Sequence, residues 1–248
     1  MRRLRYLIAL LAACTAFGAQ AAGLEDIDWL TEEYAPYNYT EDGEIKGLAV
    51  DTLTAMWQRL GVARSASDIR MLPWARAYRI ALERPNTCLF STTVTESRRE
   101  LFRFVEPIVD TRVAIIAPRA SQLQIAGLDA LRELPIGVVR EDIGELLLQE
   151  AGIDGKLQRT DSARALVRML EGGRFPAVSY SFDTVRWNMR LAGIDASRYE
   201  NVFTLSESVL GFACHKDTDP TLIQRLQDTL DALHAEGQLA AIHAKYLD

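Results

Sequence analysis

Thr87-Cys88-Leu89-Phe90-Ser91-Thr92-Thr93-Val94-Thr95-Glu96-Ser97-Arg98 is the stretch on which the fold turns. Thr87 to Thr92 is apolar and β-branched and reads as a buried strand, and the chain then passes into a charged helical turn around Arg98, Arg99 and Arg103. Upstream, Ile69 to Leu72 reads as a second strand and Pro73 opens a helix as its first-turn proline. Before that, a helix carries Leu53, Met56, Trp57 and Leu60 on one face and stops at Gly61. Ile27 to Glu33 is a further strand, and Asn38 to Gly47 a hairpin turning at Asp42-Gly43. Strand, helix, strand, helix, strand in this order predicts a parallel sheet covered by helices, hence the α/β class.

Downstream the series restarts. Strands are expected at Val113 to Ala117, Ile136 to Val139, Lys156 to Thr160 and Pro176 to Ser181. Helices are expected at Leu128 to Leu134, at Ile143 to Ala151 behind an Asp142 cap, from Ser162 with the stripe Ala163, Leu166, Val167 and Leu170, and through Leu191. The tail from Val209 adds a strand and two helices, Pro220 to Glu236 and Gln238 to Tyr246, too little for a third domain. Two α/β units predict two lobes, with the tail returning to the first.

The N-terminus has a different character. Arg2, Arg3 and Arg5 precede an apolar run from Tyr6 to Phe17 and small residues ending Ala19-Gln20-Ala21, the layout of a secretory signal over residues 1–21. The apolar run is shorter than the roughly 20 residues that span a bilayer. Cleavage after Ala21 is expected, since it leaves only a few residues before the first strand; Leu11-Ala12-Ala13-Cys14 also fits a lipidation site, which makes a lipoprotein anchored at Cys14 the alternative, and the periplasm is the expected location. The whole chain carries 28 basic and 34 acidic residues, and loss of the three arginines leaves 25 against 34, a net charge of −9. An acidic chain without a Lys/Arg run excludes nucleic acid and anionic membrane as natural partners.

Cys88 and Cys214 both fall in apolar strand-like runs. Two separately buried thiols are expected, with a bridge between them as the alternative in an oxidising compartment. His215, His234 and His243 have no spacing suited to a metal, and no metal or cofactor is expected.

Four segments in order carry a resemblance: Glu32-Glu33-Tyr34-Ala35-Pro36-Tyr37-Asn38-Tyr39; Gly47 through Asp51; Thr93-Val94-Thr95-Glu96-Ser97-Arg98 with Phe104 and Pro107; and Gly211-Phe212-Ala213 with Gly237. On these the chain resembles the family 3 extracellular solute-binding proteins of ABC importers, the type II periplasmic binding fold. The resemblance implies a first lobe made of residues 22–111 and 205–248 and a second of 112–204. It also implies two crossings, near Pro107 to Thr111 and Phe203 to Ser206, and a ligand held between lobes that close by a hinge. A monomer that captures a small solute and delivers it to a membrane permease is what it implies of partners.

Arg98 takes the family's carboxylate-binding place at the end of T-x-x-R, a role suited to a planar fork of donors. Thr93 and Ser91, at alternate positions on the strand end, are expected to contact the same ligand, Thr93 through its hydroxyl. Tyr34 and Trp74 match places where family members stack rings on a ligand. The second lobe departs from the pattern. Ser181 stands where an amino-acid binder has an aspartate for the ammonium, and Glu141-Asp142, ahead of Ile143, replaces a small Gly-Thr step. Glu32, Asp142 or Asp183 could supply the missing acceptor, so the ligand is expected to be a carboxylate-bearing polar solute, an amino acid or a relative. Two other readings use the same fold: an enzyme of the cyclohexadienyl dehydratase type, which would need a positioned acid or base, and a ligand sensor for a membrane receptor. Nucleophile-elbow and phosphate-loop motifs are absent from the sequence, and a binding protein without catalysis is the expectation.

Overall fold

The computed structural model describes residues 23–247. The expected signal segment and Cys14 lie outside the described residues. The first half runs β1 (Asp28–Thr31), β2 (Tyr39–Glu41), β3 (Glu44–Lys46), α1 (Leu48–Leu60), β4 (Arg70–Met71), α2 (Trp74–Glu83), β5 (Thr87–Thr93) and α3 (Glu96–Arg99). After β6 (Phe102–Pro118) come β7 (Ile136–Val139), α4 (Ile143–Glu150), β8 (Leu157–Thr160), α5 (Ala163–Glu171), β9 (Ala177–Ser181) and α6 (Phe182–Leu191). The chain closes with β10 (Tyr199–His215), α7 (Pro220–Ala235) and α8 (Gln238–Leu247).

The local chemistry behaves as its spacing requires. In α1, Leu53, Met56 and Trp57 are buried on one face, and Gly61 ends the helix in the left-handed conformation, which costs glycine no Cβ clash. Ser162 caps α5 by accepting from the Ala165 amide, and Ala163, Leu166, Val167 and Leu170 are the buried stripe. Asp42 and Gly43 both have positive φ, which a two-residue hairpin turn demands, and they join β2 to β3. The expected helix over Leu128 to Leu134 is instead a single 3₁₀ turn, Leu128–Leu131.

Eight strands form one mixed sheet in the order β4-β1-β5-β10-β6-β9-β7-β8. The flanks are parallel, β1 with β4 and β5, and β7 with β8 and β9, as the alternating helices predict. The centre is antiparallel. β6 and β10 each run 17 residues and pair along their length, from Phe102↔His215 to Pro118↔Tyr199. The sequence reading had each of these strands only in part, Val113 to Ala117 and the run from Val209. Charged and polar residues at Glu106, Asp110 and Arg112, and at Ser206, Glu207 and Ser208, interrupt the apolar pattern that marks a buried strand, although the backbone pairing continues through them. The distal part of β10 also pairs with β5, and α7 and α8 pack against α1, which brings the tail back beside the first strands.

Cys88 on β5 and Cys214 on β10 are register partners and are joined as a disulfide, with Cα atoms 4.0 Å apart. This corrects the expectation of two separate thiols. Burial was read correctly, but adjacency of two strands 126 residues apart in sequence is a tertiary fact. Trp29 packs edge-on against Trp57 and Phe212 beside the bridge, with ring centroids 5.9 and 5.7 Å apart.

Two glycines set close approaches that shape the region between the flanks. Gly47 has φ 130°, and a Cβ there would lie 2.3 Å from the Tyr37 carbonyl oxygen, so only glycine lets α1 begin against the Tyr34 to Asn38 turn. At Gly144 a Cβ would lie 2.2 Å from the Ser179 carbonyl oxygen, which lets α4 start directly on β9.

Candidate functional site

Arg98 sits in the short helix α3, whose N-cap Thr95 accepts a hydrogen bond from the Arg98 amide at 3.2 Å. The side chain turns inward and is 2% exposed. Its Nη1 donates to the Thr93 carbonyl at 3.0 Å, and the guanidinium lies 5.1 Å from the Trp74 ring centroid and 5.6 Å from that of Tyr78. Trp74 and Tyr78, one turn apart on α2, thus form an aromatic wall for the cation, a contact worth about 0.5–2 kcal/mol. The Nε of Arg98 has no partner, and among the described residues no carboxylate forms an ion pair with it. Its neighbours differ: Arg99 pairs with Glu106 and Arg103 donates to the Lys216 carbonyl. A buried guanidinium with no carboxylate in ion-pair contact keeps donor capacity that a bound anion would satisfy.

Two buried carboxyls share this environment. Glu32 follows β1 and is 8% exposed, and Asp142 caps α4, where its Oδ1 accepts from the Ile143 amide and its Oδ2 has no partner. Burial, reinforced by the charge of Asp142, pushes the Glu32 carboxyl well above the usual carboxylate range, against the opposing pull of Arg98. Burial likewise raises Asp142, while Arg98 and the Ile143 amide pull it down. Arg98, Glu32 and Asp142 therefore form one electrostatic unit drawn from three elements.

A raised carboxyl binds protons more tightly in the folded chain than in the unfolded one, so its contribution to stability is complete below the unfolded pKa and is lost as pH rises through the folded value. The substitution Glu32→Gln, which mimics the protonated form, is accordingly expected to raise the Tm of the ligand-free protein at about pH 7.5 and to change it little at about pH 4, near the unfolded carboxylate pKa. Thermal melts across that range measure the difference. A Tm lowered equally at both pH values would show that Glu32 is held ionised by a structural partner.

Three tyrosines complete the cluster. The Tyr34 ring lies 5.1 Å from Tyr37 and 5.7 Å from Tyr180, and the hydroxyls of all three are buried without a hydrogen-bond partner. Burial is the main cause that drives each phenol well above its ordinary range. The turn that presents Tyr34 is tied down by Asn38, whose side chain donates to the Glu32 carbonyl at 2.6 Å and accepts from the Ser91 hydroxyl.

The expected residues thus divide. Glu32, Tyr34, Trp74, Arg98 and Asp142 surround one enclosed polar region, with Thr93 contributing its carbonyl to Arg98. The hydroxyl of Ser91 donates to Asn38, and its φ of 58° belongs to the bulge that leaves Ser91 unpaired between Phe90 and Thr92 opposite β10. Ser181 caps α6, accepting from the Thr184 amide at 3.5 Å. Ile143 is buried at the head of α4, and its amide is used by Asp142. The Glu141 side chain is exposed, and what faces the cluster is its carbonyl, which accepts from Trp74 Nε1 at 2.7 Å. Asp183 is exposed and lines open clefts of about 550 and 540 Å³, which contain none of the enclosed residues. Asn38, Tyr37, Tyr78 and Tyr180 were not singled out by sequence. The i, i+4 spacing of Trp74 and Tyr78 was the one signal that could have found any of them.

Two hydrogen bonds link the α2–α3 side of this region to α4: Trp74 to the Glu141 carbonyl, and Ser97 Oγ to Glu150 at 3.0 Å.

Comparison with solved structures supports the architecture. A histidine kinase sensor domain with similarity to periplasmic binding proteins matches with a TM-score of 0.79 at 23% identity, covering 89% of this chain and 96% of that one. The arginine-, lysine-, histidine-binding protein ArtJ from Geobacillus stearothermophilus matches with a TM-score of 0.75 at 16% identity, covering 89% of this chain and 95% of its own. An ABC uptake transporter substrate-binding protein from Streptococcus pneumoniae with bound histidine gives 0.76 at 14% identity, covering 90% and 92%. At such identities these are likenesses of fold. No curated protein sequence matches the chain significantly. The sequence model of the bacterial extracellular solute-binding proteins, family 3, matches residues 29–248. With residues 29–248 of the 248-residue chain inside that match, and with the two-flank sheet described above, the protein belongs to the family 3 bacterial extracellular solute-binding proteins.

Proposed function

We propose that this solute-binding protein captures a small carboxylate-bearing polar solute, an amino acid or a relative, and delivers it to the permease of an ABC-type importer. The observation that carries this reading is Arg98: a buried cation, fixed by Thr93 and two aromatic rings, without a carboxylate partner among the described residues. Arg98 would pair with the ligand carboxylate. Tyr34 and Trp74 would cover the ligand, Glu32 and Asp142 would face its polar end, and Thr93, Ser91, Ile143 and Ser181 would line or brace the site. The lobes would comprise residues 22–111 with 205–248, and 112–204, and would hinge where β6 and β10 pass through Pro107 to Thr111 and Phe203 to Ser206. The register shifts between Asn201 and Phe203 and between Thr204 and Ser206 in the pairing of those two long strands support a hinge of this kind, since such irregularities bend a paired strand. Export of a monomer to the periplasm fits the signal-like N-terminus and the family.

Thermal-shift screening with amino acids, polyamines and organic acids tests the reading, because a ligand at saturation raises the melting point by mass action. Carboxylate-bearing compounds are expected to give the shifts. Shifts confined to compounds without a carboxylate would refute it. A sensor role is the second reading, favoured by the likeness to a histidine kinase sensor domain. Ligand-dependent binding to a purified permease in membranes separates the two.

A further inference from the structure

The buried charges among the described residues do not balance. Glu32, Arg98, Asp142, Glu145 and His215 are the ionisable acids and bases whose side chains are buried. Glu145 is compensated by Arg159 and also accepts from the Glu141 amide. His215 lies at the end of β10, where its Nδ1 accepts from the Asp217 amide. That leaves one cation, Arg98, against two carboxyls, Glu32 and Asp142: Arg98 lies over the Trp74 ring, whose Nε1 donates to the carbonyl just before Asp142, and Glu32 stands two residues before Tyr34, whose ring packs on Tyr180.

Resting on the carboxylate reading of Arg98, we propose that the solute is a net cation of charge +1, with one carboxylate for Arg98 and two positive groups, at least one of them held between Glu32 and Asp142. A zwitterion would leave Glu32 or Asp142 without a positive partner, neutral only while it holds a proton, and a net anion would add a further unpaired charge, whereas a carboxylate with two cationic groups gives each ionised carboxyl a partner. Desolvating an uncompensated charge is expensive, so an enclosed site discriminates strongly on ligand charge. The unpartnered Asp142 Oδ2 and the free hydroxyls of Tyr34 and Tyr180 offer acceptors to ammonium or guanidinium donors. The Tyr34 and Tyr180 rings add apolar faces that attract cations. Asp183, the third acceptor considered from sequence, is exposed and lies outside this unit.

Isothermal titration of the whole protein with L-lysine and L-arginine as net cations, L-glutamine as a zwitterion and L-glutamate as a net anion decides the question. Lysine or arginine is expected to bind at least about tenfold more tightly than glutamine, with glutamate weakest, as the pairing of one close buried charge implies. Glu32→Gln is expected to shrink that preference by about tenfold or more. Asp142→Asn keeps a capping residue on α4 and reads the same charge from the opposite side. If glutamine or glutamate binds wild type more tightly, or both variants leave the ratio unchanged, while Arg98→Met still abolishes binding, the net-charge inference fails and the carboxylate reading survives. If none of the probes binds, or Arg98→Met leaves binding unchanged, both fail together.

Discussion

Arg98→Met is expected to weaken the best-binding carboxylate compound by about a hundredfold or more while leaving the protein folded. The substitution keeps an unbranched apolar stem against Trp74 and Tyr78 and deletes only the charged fork. A charge-assisted bidentate pair is among the strongest polar contacts available, and truncating one partner of a buried pair costs roughly 2–5 kcal/mol. Arg98→Lys is expected to fall between, because a point charge cannot reproduce the fork. In a thermal-shift experiment at a ligand concentration about a hundredfold above the wild-type Kd, stabilisation of about 2.7 kcal/mol should fall to about 0.4 kcal/mol in the Met variant. The ligand-free Tm supplies the control. Removal of the only buried positive charge in the unit also withdraws what holds Glu32 and Asp142 down, so the Met variant should lose more stability as pH rises than wild type does. An unchanged Kd would mean that the carboxylate is bound elsewhere.

Loss of the Cys88–Cys214 bridge is expected to be the largest stability change available from two substitutions. The bridge spans 126 residues of chain, and on loop-closure entropy a loop of that length corresponds to about 5 kcal/mol of unfolded-state restriction. Whole domains are stable by only about 5–15 kcal/mol, so the double variant Cys88→Ala, Cys214→Ala should show a large fall in its urea midpoint. The location strengthens the expectation. The bridge ties β5 to the distal part of β10, so it joins the two separated segments of the first flank, and the intervening loop contains β6 through β9. Reductant should move wild type toward the variant's midpoint and should not move the variant. Equal midpoints with and without reductant in wild type would show that the bridge does not contribute to folding stability.

Both predictions concern residues that the sequence marked, and in both the decisive property came from elsewhere in the chain. Helix faces, caps and the Asp42-Gly43 turn were legible because they depend on residues within a few positions of each other: Leu53, Met56 and Trp57 on α1, Ser162 before α5, Asp142 before α4. The parallel flanks followed from the alternation of strands and helices. The full length of β6 and β10 did not, since hydrophobic pattern reports burial and these strands continue through exposed charged residues where only backbone pairing persists.

The site was legible in the same partial way. Arg98, Tyr34, Trp74, Glu32 and Asp142 were all picked out by motif and position. Nothing local distinguishes Arg98 from Arg99, however, and only the tertiary structure buries one against aromatic rings without a counter-ion and pairs the other with Glu106. The Ser181 and Ser91 hydroxyls also serve α6 and Asn38, and the Asn38 partner, 53 residues away from Ser91, is not written in any short motif. By itself the sequence determined the class of fold, the family and the residue types of the candidate site, because periodicity, capping and short motifs are written in nearest neighbours along the chain. Tertiary structure alone decided which strands adjoin, that Cys88 meets Cys214, and that one buried cation faces two buried carboxyls, because solvation and charge balance depend on distance through space.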